Sequence, residues 1–553
     1  MEQQQTNKTA ASQLFERVQT WLPLLLATCM SVGIWLGLKL QDEQLVTHQP
    51  ASELPAEPQK MQEVLGYINA KYVDNINTDS VTGLALASLL ERLDPHSSYI
   101  PLSDVEEVHE HLEGNFVGVG IEFELIHDTV TIISALQGSP AHEVGLQSGD
   151  RIVSINDKLV AGPSRDGLTL IKQLKGKKGS KVVVGVLRRG ESDIRSFSII
   201  RAQIVVNSIK SAYMLDAKTG YIRIATFATS TSKDFLDALE KLNKQGMKDI
   251  VLDLRQNPGG FLEEATDILN QFFMEKNKLL VYTQGRTVRR ADYKTNGRAM
   301  YEIGKVAVLI DEGSASASEI IAGAIQDLDR GIVVGRRSFG KGLVQEEYSL
   351  ADGSALRLTV ARYYTPSGRC VQRPYANSYE YGQDYEKRVS SANRDDFRLA
   401  DSSQFKTASG RVVYGGGGII PDYWVTPEST PTDAAYYKLL GAYVSAYSLQ
   451  FVAAHRMELP KKVFDIRQFL VSDSMMKDFY EYAVRRGVAK DKKRFATVRE
   501  YLRNDIRARI AQDVYGDEGL IRVLNETDPI LRKATTMMRM RDPFAESKLT
   551  RRR

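Results

Sequence analysis

The chain has 553 residues, 26% of them charged and 42% hydrophobic, which is ordinary globular composition and enough chain for roughly three or four domains. Its 73 Lys and Arg against 69 Asp and Glu leave a net charge of only +4, too little to argue for a nucleic-acid partner. Two cysteines, Cys29 and Cys370, exclude a disulfide framework and a four-cysteine zinc site, and the seven histidines leave residues 143–454 without an imidazole, so chemistry seated there has to run without one.

Val18 to Leu38 carries no charge over 21 residues between Arg17 and Lys39, long enough to cross about 30 Å of hydrocarbon as a helix. A buried core helix and a cleaved signal peptide are the alternatives. No small-x-small cleavage site follows the run, which passes into Lys39, Gln41, Asp42 and Glu43, and Cys29 lies within it rather than at a lipoprotein junction. The expectation is a cytoplasmic tail at 1–17 and an uncleaved transmembrane anchor at 18–38. Lys8 and Arg17 before it, against Lys39 after it, put the rest of the chain outside the cytoplasm, in a bacterial periplasm.

Pro50, Pro55 and Pro58 among Ser, Ala, Glu and Gln read as a linker, 39–58. Residues 59–113 read as a helical region, with apolar residues at helical spacing over Met61 to Tyr72 and Val81 to Leu93 and a stop at Asp94-Pro95. From Gly114 short β runs take over, at Val117 to Leu125, Val130 to Ser134, Arg151 to Ile155 and Lys181 to Leu187, with Gly-Ser-Pro and Ser-Gly-Asp turns between them. Between Tyr221 and Val360 strands alternate with helices: Tyr221 to Phe227, Ser232 to Lys244, Ile250 to Leu254, Phe261 to Phe273, Val306 to Ile310, Ala317 to Leu328 and Ile332 to Val334. This order predicts an α/β layer domain. From Tyr436 to the end the chain reads helical and basic, 25 Lys/Arg against 15 Asp/Glu, a net +10 that leaves −6 for the remainder. A solvated helical appendage is the plain expectation, contact with anionic lipid or an acidic partner the alternative.

Two segments could carry chemistry. Val306 to Ile310 runs into Asp311-Glu312-Gly313-Ser314-Ala315-Ser316-Ala317-Ser318-Glu319 and then an Ala/Ile-rich helix, which puts serine hydroxyls at a helix N-terminus, where unpaired N–H groups favour developing negative charge. Ser316 with Glu319 is equally a capping box. Downstream, Lys341 between Gly340 and Gly342 is either a surface lysine in a turn or a general base for a serine. Lowering a lysine pKa from about 10.4 to about 7 or 8 costs roughly 4 kcal/mol and requires burial away from carboxylates. Gly335 to Lys341 imitates a phosphate-binding loop, but Gly342 replaces its hydroxyl residue and a strand-like stretch follows. Ser338 to Lys341 spells S-x-x-K and Lys218 to Gly220 spells K-T-G, in the reverse of the penicillin-binding order. Asp253-Leu254-Arg255-Gln256-Asn257-Pro258-Gly259-Gly260 ends a strand in a glycine turn whose amides could pair with that of Ala317 as an oxyanion hole, or serve only as a turn.

Together these segments resemble the C-terminal-processing, or tail-specific, serine peptidases of bacteria and chloroplasts, over roughly residues 60–425. The resemblance rests on Leu93 to Tyr99, Asp253 to Gly260, Gly313 to Glu319, Ser338 to Gln345, Tyr364 to Arg369 and Gly416 to Asp422. It implies a multidomain α/β protein: a layered serine-peptidase core at 203–429, an inserted PDZ domain at 114–202 and a helical C-terminal extension at 430–553. It selects Ser316 as nucleophile and Lys341, 25 residues later, as base, with Gln345 orienting the lysine. Phe116 to Ile121 matches the PDZ carboxylate loop, in which the amides of Gly118, Val119, Gly120 and Ile121 receive a substrate C-terminus while the peptide adds a strand. The implied partners are proteins or peptides with exposed C-terminal tails, the membrane through the N-terminal helix and, as a further possibility, an adaptor protein; no metal, other cofactor or nucleic acid is implied. The rival expectation is a non-catalytic PDZ scaffold.

Overall fold

The computed structural model describes residues 56–544 and Ser547, apart from 127–128, 163–166, 189, 376–377, 391–402, 427–432, 456, 461, 464–465 and 467–468. The expected anchor at 18–38 lies outside the described residues, among which no helix is long and apolar enough to cross a membrane. The chain divides into two units, Met1–Ala85 and Leu86–Arg553. In the first, the helix Ala56–Lys71 starts inside the expected linker, with Pro58 in the opening turn, where its missing N–H breaks no helical bond. Thr78 opens the next helix, Thr78–Glu91, and its hydroxyl reaches Asn69 Oδ1 at 3.1 Å.

The second unit is organised around a six-stranded sheet in the order Ile209–Met214, Thr219–Ile224, Asp249–Asp253, Val306–Ile310, Ile332–Gly335, Tyr423–Trp424. The first pair is antiparallel and the rest are parallel. Val306–Ile310 is buried at every position, as an unbroken apolar run requires of a central parallel strand. Its side chains alternate between two cores. Val306, Val308 and Ile310 pack with Phe235, Leu239, Ile268 and Ile320 from the helices Thr231–Lys244, Leu262–Asn270 and Ala317–Asp327. Ala307 and Leu309 pack on the opposite face with Ile530, Leu531, Ala534, Met537 and Met538 from the helix Pro529–Arg539.

That second face corrects the expectation of a solvated C-terminal appendage. Pro529–Arg539 is a layer packed on the main sheet, fastened by Arg255, which pairs with Asp253 at 2.6 Å and with the helix-capping Asp528 at 2.5 Å. Lys305 Nζ reaches the carbonyls of Met538 and Met540 at 2.7 Å each. The preceding helices Ala434–Gly441, Val444–His455, Asp473–Val484 and Lys492–Tyr515 enclose a core of their own around Tyr436, Leu440, Tyr447, Phe479, Leu502 and Ile506.

Beside the main sheet, Ala355–Tyr364 pairs with Leu343–Ser349, Ser98–Ile100 and Lys276–Gln284. The expected β unit is a sheet in the order Ile121–Ile126, Thr129–Ala135, Arg151–Ile155, Lys181–Leu187, Ile194–Ile200, with Ile121–Ile126 at its edge. The ribbon Asn115–Gly118 with Ala202–Val205 joins this unit to the core. The run expected as one strand, Val117 to Leu125, is broken at Val119-Gly120, because Gly120 takes φ +81° with Ser139 packed where a side chain would stand.

Candidate active site

Val306–Ile310 delivers the turn Asp311 to Ser316, and Asp311 secures it by accepting the amides of Gly313 at 3.0 Å and Gln256 at 2.9 Å. The three serines of this turn and the first turn of the helix that follows differ in environment. Ser314 and Ser318 are fully buried, and their hydroxyls donate to Leu254 O at 2.8 Å and Asn257 O at 3.0 Å. Ser316 is only partly buried and has φ 54°, ψ −114°, a backbone conformation costly for any residue with a Cβ. It sits at the mouth of the helix Ala317–Asp327, as its N-cap residue on a sharp strand-to-helix turn.

Lys341 enters from the Ser338 to Gly342 loop, half-buried, and its Nζ donates to Gln345 Oε1 at 3.1 Å. Burial lowers its pKa below the ordinary lysine value, helped by the Arg357 charge and opposed by Asp94 and Glu319. The structure therefore brings Lys341 and Gln345 into contact. No hydrogen bond joins Lys341 Nζ to the Ser316 hydroxyl; the backbones of the two residues are instead joined through two shared groups. Glu319 Oε2 accepts Ser316 N at 3.0 Å and Lys341 N at 2.8 Å, while its Oε1 accepts Gly340 N at 2.8 Å and the Ser338 hydroxyl at 2.5 Å. The Tyr363 hydroxyl lies 2.6 Å from Lys341 O and 3.1 Å from Ser316 O. Burial pushes the Glu319 carboxyl up to about 7 against these four donors.

Of the amides expected to hold an oxyanion, that of Gly259 already donates to Asn257 Oδ1 at 2.8 Å. The amides of Gly260 and Ala317 take no partner among the described residues. In the β unit, Gly118 closes the ribbon against Ala202 and Ile121 opens the edge strand opposite Ala135. Between them, Val119 O accepts Ala141 N at 2.9 Å, and Gly120 O accepts Leu136 N at 3.0 Å and Ser139 Oγ at 2.9 Å. The amides of Val119 and Gly120 have no partner among the described residues, beside a strand whose outer edge is unpaired in the sheet. No group of three or more His, Cys, Asp or Glu among the described residues could hold a metal ion.

Residues 218–377 match the model of peptidase family S41, and residues 117–199 match the PDZ domain. The chain carries an S41 peptidase domain joined to a PDZ domain. Residues 436–516 match a family of unknown function, which covers the four-helix core of the C-terminal extension. A probable CtpA-like serine protease of Staphylococcus epidermidis is 32% identical over 333 residues, 59% of this chain and 66% of that protein. One from Staphylococcus aureus is 34% identical over 315 residues, 56% of this chain and 62% of that protein. The chain thus spans just under two thirds of these relatives' length. Among solved structures, the photosystem II D1 C-terminal processing protease is 26% identical, covering 69% of this chain and 96% of its own, with a TM-score of 0.35. A PDZ domain of a carboxy-terminal protease from Vibrio cholerae, in complex with peptide, is 28% identical and covers 17% of this chain and 99% of its own, with a TM-score of 0.16.

Sequence reasoning missed three groups at the S41 site. Glu319 reads as a cap, and only the fold reveals that its carboxylate also gathers the lysine loop. Tyr363 carries no signal beyond its place in a strand. His96 comes from outside the histidine-free stretch, so the expectation of a site without imidazole is corrected by tertiary folding. Its ring lies against Phe339 and Tyr381, with Nε2 2.9 Å from the Tyr381 hydroxyl. Burial first and the Lys341 charge second push its pKa down to about 4, so the ring is neutral at ordinary pH.

Proposed function

We propose that the chain is a membrane-anchored periplasmic serine endopeptidase that cleaves proteins presented by their C-terminal tails. The PDZ loop, through the amides of Val119 and Gly120, would hold the terminal carboxylate while the tail pairs with Ile121–Ile126. Neutral Lys341 takes the proton of Ser316 Oγ as that oxygen attacks a peptide carbonyl. The amides of Ala317 and Gly260 hold the oxyanion, and the lysine ammonium then passes its proton to the leaving amine. Water, deprotonated by the same lysine, attacks the acyl ester; the ester C–O bond breaks, the carboxylic acid product leaves and the lysine ammonium returns its proton to Ser316 Oγ.

The observation that carries this reading is the contrast within one short segment: Ser314 and Ser318 are buried structural donors, whereas Ser316 between them is partly exposed on a strained backbone beside a lysine whose pKa burial depresses. A fluorophosphonate probe is expected to label the full chain at Ser316, and Ser316→Ala and Lys341→Ala are each expected to abolish both labelling and proteolysis. A scaffold that only binds C-termini would stay unlabelled under every activating condition. Retained cleavage by either variant would sink the dyad. The charge-free run at 18–38 supports the anchor and the periplasmic placement. Digestion of the chain by protease added to intact spheroplasts is expected, and full protection would rule that placement out.

A further inference from the structure

We propose that the turn Asp94 to Ser97 positions the base: it holds the Gln345 amide in the one orientation that leaves the lone pair of Lys341 available to Ser316. This rests on the peptidase reading above. Gln345 Nε2 donates to His96 O at 2.5 Å, and Gln345 Oε1 accepts Lys341 Nζ at 3.1 Å. A carbonyl oxygen can only accept, so His96 O claims the NH2 end of the amide and fixes its oxygen toward the lysine. With the amide reversed, an N–H would point into the lone pair of the neutral amine, the same pair that has to receive the serine proton.

The His96 carbonyl is held in place by a carboxylate. Asp94, 6% exposed, takes His96 N and Ser97 N on Oδ1 at 2.8 Å each, Thr359 Oγ1 on the same oxygen at 3.2 Å, and Ser97 Oγ on Oδ2 at 2.6 Å. Ser97 Oγ in turn accepts Thr359 N at 3.1 Å. Thr359 stands opposite Gln345 in the pairing of Leu343–Ser349 with Ala355–Tyr364, where the register shifts between Val344 and Gln345. A bulge re-aims the side chain that follows it. The turn therefore grips the rung of the sheet from which Gln345 projects. Asp94 has no hydrogen bond to Ser316 or to Lys341; it acts through His96 O and Gln345.

The test is the rate at which a fluorophosphonate labels Ser316 in the full chain, followed against pH. Asp94→Ala and Gln345→Ala are each expected to slow labelling roughly ten- to a hundredfold, the scale for misplacing a general base. The Asp94→Ala/Gln345→Ala double variant should be no slower than Gln345→Ala, because the two residues act in series. Asp94→Asn, which keeps an acceptor for both amides, should retain the rate, with its acid limb moved to lower pH by the loss of a negative charge near the lysine. If Asp94→Ala does not fold, Thr359→Val takes its place, with a smaller slowing that should likewise vanish in the Gln345→Ala background. Wild-type labelling rates in Asp94→Ala or Thr359→Val, or losses that multiply in the double variant, would overturn the proposal. Failure of the wild type to label at Ser316 would instead overturn the peptidase reading itself.

Discussion

Glu319 accepts the N–H of Ser316 at 3.0 Å through the same carboxylate oxygen that accepts the N–H of Lys341 at 2.8 Å. One buried side chain thus sets the distance between the two loops that carry the proposed nucleophile and base. Its carboxyl is pushed up to about 7 by burial, above its unfolded value of about 4.3. Between those values the folded chain holds this proton more tightly than the unfolded chain does. This group's contribution to stability is therefore full below about pH 4, falls as pH rises to about 7 and is level above, by no more than about 4 kcal/mol. Denaturant unfolding at about pH 5 and about pH 8 should show that decline, and a smaller one in Glu319→Gln. At alkaline pH Glu319→Gln should also slow Ser316 labelling, because its NH2 cannot accept the amides the carboxylate gathers.

The proposed reaction needs Lys341 neutral, so its rate should rise with pH along a limb whose midpoint lies below the ordinary lysine value of about 10.4. Burial is the main cause of that depression and the Arg357 guanidinium the next. Arg357→Gln removes the cation and should move the limb to higher pH. Glu347, which pairs with Arg357 at 3.0 Å, is then left less compensated, and its negative charge should push the limb the same way. Labelling rates across the pH range decide this; a limb that moves downward would contradict the assigned electrostatics.

Local signals in the sequence account for much of this fold. Val306 to Ile310, Arg151 to Ile155 and Lys181 to Leu187 are found at the expected residues, since an apolar run bounded by turn residues has few alternatives. Ser316, Lys341 and Gln345 were legible by their resemblance to a family and by glycines beside the lysine. Pro529–Arg539 was not recognised as core, because the charge count of the tail averages over a helix whose apolar face, Ile530, Leu531, Ala534, Met537 and Met538, covers the sheet. Asp94 and His96 were visible only as part of a matching segment. Their role depends on Ser98–Ile100 pairing with Ala355–Tyr364, more than 250 residues away, and nothing local specifies that pairing.

Gly259 packs directly against the proposed nucleophile. A Cβ there would lie 2.6 Å from Ser316 Cβ and 2.8 Å from Ala315 O, and the residue has φ +102°. Gly259→Ala must therefore displace backbone in the turn that holds Ser316, in addition to adopting a conformation that L residues avoid. The expected outcome is a loss of labelling of roughly a hundredfold or more, with the thermal midpoint lowered far less than a core disruption would lower it. Labelling close to wild type would show that the Gly259 turn is not coupled to Ser316.

The edge strand of the PDZ unit is also held from the C-terminal side. Arg509, on Lys492–Tyr515, reaches Glu124 of Ile121–Ile126 at 2.8 Å and Asp513 at 3.3 Å. Asp513 is buried, with the Arg509 ion pair as its side chain's partner among the described residues, and burial pushes its carboxyl up to about 7 with Arg509 opposing. Removing the guanidinium in Arg509→Ala leaves this carboxyl without its cation. Above about pH 7 that should destabilise the chain by about 2–4 kcal/mol, whereas at lower pH Asp513 takes up a proton and the loss shrinks. Arg509→Ala/Asp513→Asn should recover most of the alkaline loss. Urea unfolding of the three proteins at two pH values measures this directly, and hydrogen exchange over residues 121–126 should quicken in Arg509→Ala, since the strand that would pair with a substrate tail loses its tie to the helix. A destabilisation independent of pH would show that Arg509 matters for packing rather than for the charge of Asp513.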